Sequence, residues 1–151
     1  MATTVTTASL IVTINESYSL NGVDYGNNIV KTFTSNGEVV QRIMSIAEHE
    51  SLHTAIFNYG AVDSAGVGVA ADYVYFRVTN LDDTNFVTLR MHNGTDTCWI
   101  KVKAGESFMI MDNEIDAIGS SSTFGAFADI TEFAALANTA DVDIEFIAVT
   151  K

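Results

Sequence analysis

The sequence predicts an all-β protein, an antiparallel sandwich or barrel of about eight to ten strands. Three observations carry this: short segments alternate apolar and polar residues, Asn-Gly dipeptides punctuate them, and no helical rhythm separates them. Composition sets the frame. The chain has 151 residues, 48% hydrophobic and 17% charged, with a mean hydropathy of +0.22 and no proline. A disordered chain needs the opposite balance of hydrophobicity and charge. The length suits one domain, expected over residues 9–151 behind an arm of residues 1–8.

Residues 1–8 are threonine-rich and read as an extended arm or a frayed end. Ser9 to Ile14 is β-branched and reads as a strand. Asn21-Gly22 and Gly26-Asn27-Asn28 are turn sequences around Val23 and Tyr25. Ile29 to Ser35 is the next strand, with Ile29, Lys31 and Phe33 on one face and Val30, Thr32 and Thr34 on the other. Asn36-Gly37 then predicts a type I′ hairpin, its return strand running from Glu38 to about Ile46.

Thr54 to Tyr59 is a further strand, and the glycine-rich stretch from Gly60 to Ala71 a loop. Tyr73 to Asn80 alternates, with Tyr73, Tyr75, Arg77 and Thr79 on one face and Val74, Phe76 and Val78 on the other. Strands follow over Asn85 to His92, Thr97 to Val102 and Ser107 to Met111, separated by Asn93-Gly94 and Ala104-Gly105-Glu106. Residues 124–137 stay open between helix and strand: the alanines suit a helix, and Phe127, Ile130 and Phe133 recur at three. Asp141 to Val149 is the last strand, pointing Val142, Ile144 and Phe146 inward and Asp141, Asp143 and Glu145 outward.

Charge narrows the function. Seven Lys and Arg against 19 Asp and Glu give a net charge of -12. Such a surface repels phosphate backbones and anionic lipids, so neither nucleic acid nor membrane is an expected partner. The N-terminus has no basic residues ahead of an apolar stretch and does not read as a secretory signal. No uncharged apolar run approaches the roughly 20 residues of a bilayer span. Cys98, the one cysteine, excludes an internal disulfide and reads as a buried reduced thiol. Asn15 and Asn93 head N-x-S/T sequences, which matter only in a eukaryotic secretory pathway.

Several motifs imitate catalytic or binding sites. His49-Glu50-Ser51-Leu52-His53 matches H-E-x-x-H, which on a helix would let His49 and His53 grip zinc while Glu50 activates water. Val39, Val40, Ile43, Met44 and Ala47 fall at helical spacing before it. The neighbouring strand signals and the lack of a third ligand favour a polar turn, with a zinc metallopeptidase as the alternative. Gly66-Val67-Gly68-Val69-Ala70-Ala71 imitates a dinucleotide loop, but a strand follows it where a helix is needed. Asp112, Glu114 and Asp116 begin like a calcium loop, yet Ala117 and Thr123 stand where glycine and glutamate are required. A looser calcium site would add Asp82 or Asp83 to these carboxylates. Tyr73 and Tyr75, if exposed, form a face that stacks on sugars, the mark of a carbohydrate-binding module. No enzyme, cofactor or metal is expected.

The runs Tyr73-Val74-Tyr75-Phe76-Arg77-Val78-Thr79-Asn80, Val87-Thr88-Leu89-Arg90 and Ala104-Gly105-Glu106-Ser107-Phe108 resemble small structural proteins of tailed bacteriophages, particularly marine and cyanobacterial ones. Leu20-Asn21-Gly22-Val23-Asp24-Tyr25-Gly26, Val40-Gln41-Arg42-Ile43 and Asp143-Ile144-Glu145-Phe146-Ile147-Ala148 fit the same style. The resemblance implies a jelly-roll-like sandwich made in the cytoplasm of a bacterial host and placed on the virion. There it would be a capsid decoration or cement protein, binding the major capsid protein and itself, with a trimer favoured. A tail, neck or fibre component is the alternative within the virion. The expected contact surfaces are the arm, through Thr3, Thr4, Val5, Thr6 and Thr7, and the acidic row Asp141, Asp143 and Glu145.

Overall fold

The computed structural model describes residues 8–48, 53–60, 68–116 and 125–151. Chain contacts divide it at Gly37 into two units. Residues up to 37, with Lys151, form the first, and residues 38–150 form the second.

The first unit consists of two antiparallel two-stranded ladders. Strand β1 (Ala8–Glu16) pairs antiparallel with β4 (Asn27–Asn36), and between them the short β2 (Ser19–Leu20) pairs with β3 (Val23–Asp24). The β2–β3 turn is Asn21-Gly22, with φ of 52° and 78°. Those are the two left-handed conformations a type I′ turn demands, and Asn and Gly tolerate them best. Asn36-Gly37 does not act as the expected type I′ turn: Gly37 has no positive φ. The return strand over Glu38–Ile46 does form, as β5, but its ladder is with the last strand of the chain, while β4 has its ladder with β1.

The second unit is the sandwich. Its strands are β5, β6 (Thr54–Asn58), β7 (Tyr73–Asn80), β8 (Val87–His92), β9 (Thr97–Val102), β10 (Ser107–Ile110), β11 (Glu114–Ile115), β12 (Ala128–Asp129), β13 (Glu132–Ala137) and β14 (Val142–Thr150). A three-residue 3-10 turn at Ala70–Asp72 is the sole helical element among the described residues. No helix there is long and apolar enough to cross a membrane. The open stretch 124–137 holds two strands, Ala128–Asp129 and Glu132–Ala137, and no helix among its described residues: β-partners on both sides of β13 override the helical propensity of its alanines.

Two four-stranded antiparallel sheets carry the fold, in the orders β10-β7-β14-β5 and β6-β13-β8-β9. The pairs are nested: β5 with β14, β6 with β13, β7 with β10, β8 with β9, alternating between the sheets. One long hairpin rolled into two sheets gives this order, which is the jelly roll.

Alternation decides what lies between the sheets. Val87, Leu89 and Met91 of β8 and Val142, Ile144 and Phe146 of β14 point into the core, as do Phe76, Phe133 and Ile46. Strand β7 breaks its alternation once. Opposite β14, Thr150 pairs with Tyr73 and Val149 with Tyr75, so Val74 is an extra residue, a bulge. The bulge turns Tyr73 inward beside Tyr59 and Phe133, with ring centroids 5.2 and 5.8 Å away.

Candidate functional site

The outer row of β14 splits into two environments. Asp141 and Asp143 line a cleft of about 530 Å³ with Ser45, Leu81, Asp82 and Asp83. The β7–β8 turn brings the last two carboxylates there. Asn80, buried at its start, accepts from the Asp82 N–H with its side-chain oxygen and donates to the Asn85 and Val102 carbonyls. Asp82 accepts the Asn85 and Thr84 N–H groups at 2.6 and 2.7 Å, which hold its carboxyl below the usual range. Asp141 accepts the Glu48 N–H at 3.0 Å. The cleft is strongly anionic, with four carboxylates around the Ser45 hydroxyl.

Glu145 belongs elsewhere. It accepts from Gln41 of β5 and pairs with Arg77 of β7 at 3.0 Å, on the outer face of its sheet. The Gln41 hydrogen bond first, and then the Arg77 guanidinium, hold its carboxyl below the usual range. Like charges two apart on one strand face repel, and the Arg77 pair relieves this at the Glu145 end of the row Asp141, Asp143 and Glu145.

The other sequence candidates fare unequally. Thr3, Thr4, Val5, Thr6 and Thr7, and His49 and Glu50 of the H-E-x-x-H motif, lie outside the described residues. Among the described residues no group of three or more His, Cys, Asp or Glu is placed to hold a metal ion. Asp112, Glu114 and Asp116 are not part of the cleft that Asp82 and Asp83 line. Tyr73 and Tyr75 do not make an exposed sugar-stacking face, since they are 2% and 5% exposed and the bulge sends them to opposite faces. Cys98 is partly exposed and packs against the core, where full burial was expected.

An aromatic platform does exist, on the other sheet. Trp99 of β9 is 51% exposed. Directly opposite it on β8 is Arg90, whose guanidinium carbon lies 6.0 Å from the indole centroid. Arg90 also pairs with Glu132 of β13 at 2.6 Å and donates to Nε2 of His53, whose ring stands edge-on to Trp99 at 6.2 Å. A guanidinium is always protonated, so His53 accepts with Nε2 and carries its proton on Nδ1. Nearby, Lys101 sits 3.8 Å over the Phe86 ring. The sequence held a signal for this face: in β9, Cys98, Ile100 and Val102 form the apolar set, leaving Trp99 on the polar side with Thr97 and Lys101.

The first unit presents a different surface. Seven of the thirteen large exposed apolar side chains among the described residues lie between Ile11 and Val30. Tyr18, Leu20, Val23 and Tyr25 cluster around the β2–β3 hairpin, where Leu20 faces Val23 and the two tyrosine rings are 5.9 Å apart. Glu16 and Asp24 are balanced by Lys31 and Lys151, so this unit is formally neutral, and the whole net charge of -12 falls on the sandwich.

Compared with known proteins, the chain matches no family model, no curated protein and no solved structure.

Proposed function

We propose that the protein is a non-enzymatic structural component of a tailed-bacteriophage virion, a decoration protein that binds the outside of the major capsid lattice and stabilises it. The observation that carries the reading is the division of labour between the units. A neutral hairpin unit rich in exposed Tyr, Leu, Ile and Val is joined to a sandwich that holds all of the net charge. Two-stranded ribbons are marginal by themselves, so such a unit gains stability by packing on another surface. Exposed aromatic and aliphatic side chains free of net charge suit a contact between copies, whose sandwiches would otherwise repel. The rolled two-sheet order also suits this use, although a fold by itself does not fix function. The Asp82, Asp83, Asp141 and Asp143 cleft fits a basic region of the partner.

Co-sedimentation with expanded capsid shells that lack the protein tests the reading. Saturable binding at a fixed ratio to the capsid subunit is the expected result. Absence of binding would overturn the capsid role and favour a tail, neck or fibre position.

A further inference from the structure

We propose that the outer face of the β6-β13-β8-β9 sheet around Trp99 is a binding site for a neutral oligosaccharide or polysaccharide chain. The inference is independent of the virion reading, because it rests on the face alone.

The indole is held in place yet open. Arg90 and His53 pack beside it at 6.0 and 6.2 Å, while half of its surface stays accessible. A ring fixed before the ligand arrives loses little freedom on binding. Its apolar surface suits the C–H face of a pyranose, and hydroxyl groups around that sugar's rim need partners that both donate and accept. The Arg90, Glu132 and His53 array supplies both: guanidinium N–H groups, a carboxylate, and the imidazole Nδ1–H.

Charge selects the class of ligand. Arg90 and Glu132 cancel each other at 2.6 Å, so the array offers no net charge to a charged ligand. The chain's net charge of -12 opposes anionic sugars, and Lys101 beside the platform opposes a cationic one. A protein partner would call for apolar surface continuous with the ring. Thr88, Lys101 and the ionic array surround Trp99 instead.

Trp99 is the sole tryptophan, so its emission reports on this face alone. The purified full chain should be titrated with cellohexaose, mannohexaose and the hexamer of N-acetylglucosamine. It should also be run through native gels containing galactomannan, with alginate as the anionic comparison. The expected result is a saturable change in emission with a neutral glycan, and gel retardation by it that weakens about tenfold in Trp99→Ala, the scale of one aromatic stacking contact. Trp99→Tyr should keep part of the affinity. Because the ring is half exposed, the alanine variant is expected to fold, and the native titration stands without it. Four results would overturn the proposal: no response to any neutral glycan, equal retardation of Trp99→Ala, retardation by alginate only, or an altered oligomeric mass in Trp99→Ala with glycan binding unchanged.

Discussion

Phe76 of β7 and Phe133 of β13 lie face to face between the sheets, their ring centroids 3.7 Å apart and their planes 9° from parallel. Each belongs to an inner strand of its sheet, and both are fully buried. Phe133 also meets Tyr59 and Tyr73 edge-on, so it touches the aromatic cluster on several sides. Phe133→Ala should therefore cost about 3–5 kcal/mol, the range for truncating a buried aromatic. Urea unfolding measures it, and a loss under about 1 kcal/mol would mean that the sheets collapse readily around the gap.

Two buried tyrosines should answer differently to the loss of a hydroxyl. Tyr73 donates to the Ile110 carbonyl at 3.1 Å, whereas the Tyr59 hydroxyl has no partner among the described residues. Tyr73→Phe should cost about 1 kcal/mol, and Tyr59→Phe should be neutral or slightly stabilising. Thermal unfolding of the two variants side by side checks the order.

Burial raises both phenols above their usual range. The folded state then holds these protons more tightly than the unfolded state does. Their contribution is intact below about pH 10 and is lost as pH rises further. Stability followed from pH 8 to 11 should fall at the alkaline end, and less steeply in Tyr59→Phe.

Glu145 predicts the acid limb. Its carboxyl is held low in the fold, so its contribution is present above the ordinary carboxylate value of about 4.3 and lost as pH falls through its lower folded value. Glu145→Gln should cost under about 1 kcal/mol at neutral pH, since the pair is a quarter exposed. The difference from the parent protein should shrink as the pH is lowered. A difference constant from pH 7 to 3 would contradict the assignment.

Asn80 ties the acidic turn to the core through one accepted and two donated hydrogen bonds, and it is 1% exposed. Asn80→Ala strands buried partners and should cost about 1–3 kcal/mol. Amide exchange should show Asp82 and Asn85 opening more often than the strands on either side.

Much of the sandwich was legible because half-buried strands advertise their period. The strands at Tyr73–Asn80 and Thr97–Val102 fall at the bounds their alternation predicts, and the inward set Val142, Ile144 and Phe146 is buried as read. The illegible features depend on partners distant in sequence. Nothing local announces a bulge at Val74, because it exists only relative to β14. Asn36-Gly37 carries strong local turn chemistry, yet long-range pairing of β5 with β14 takes precedence. The Trp99 platform was not read from the sequence, although the alternation of β9 leaves the ring on the polar side; Glu132 of β13 and His53, just ahead of β6, join it from positions distant in sequence.

The nested pairing also bears on how the chain reaches its fold. Strand β14 lies between β5 and β7, so two of the three ladders of that sheet wait for it. A chain cut ahead of Val142 would leave β5 and β7 with bare edges, open to pairing with other molecules. Closing contacts so far apart in sequence is slow, in the millisecond-to-second regime of sandwiches with few local contacts. During that interval unpaired strands are at risk of intermolecular association, and the like charge carried by the sandwich keeps neighbouring nascent chains apart.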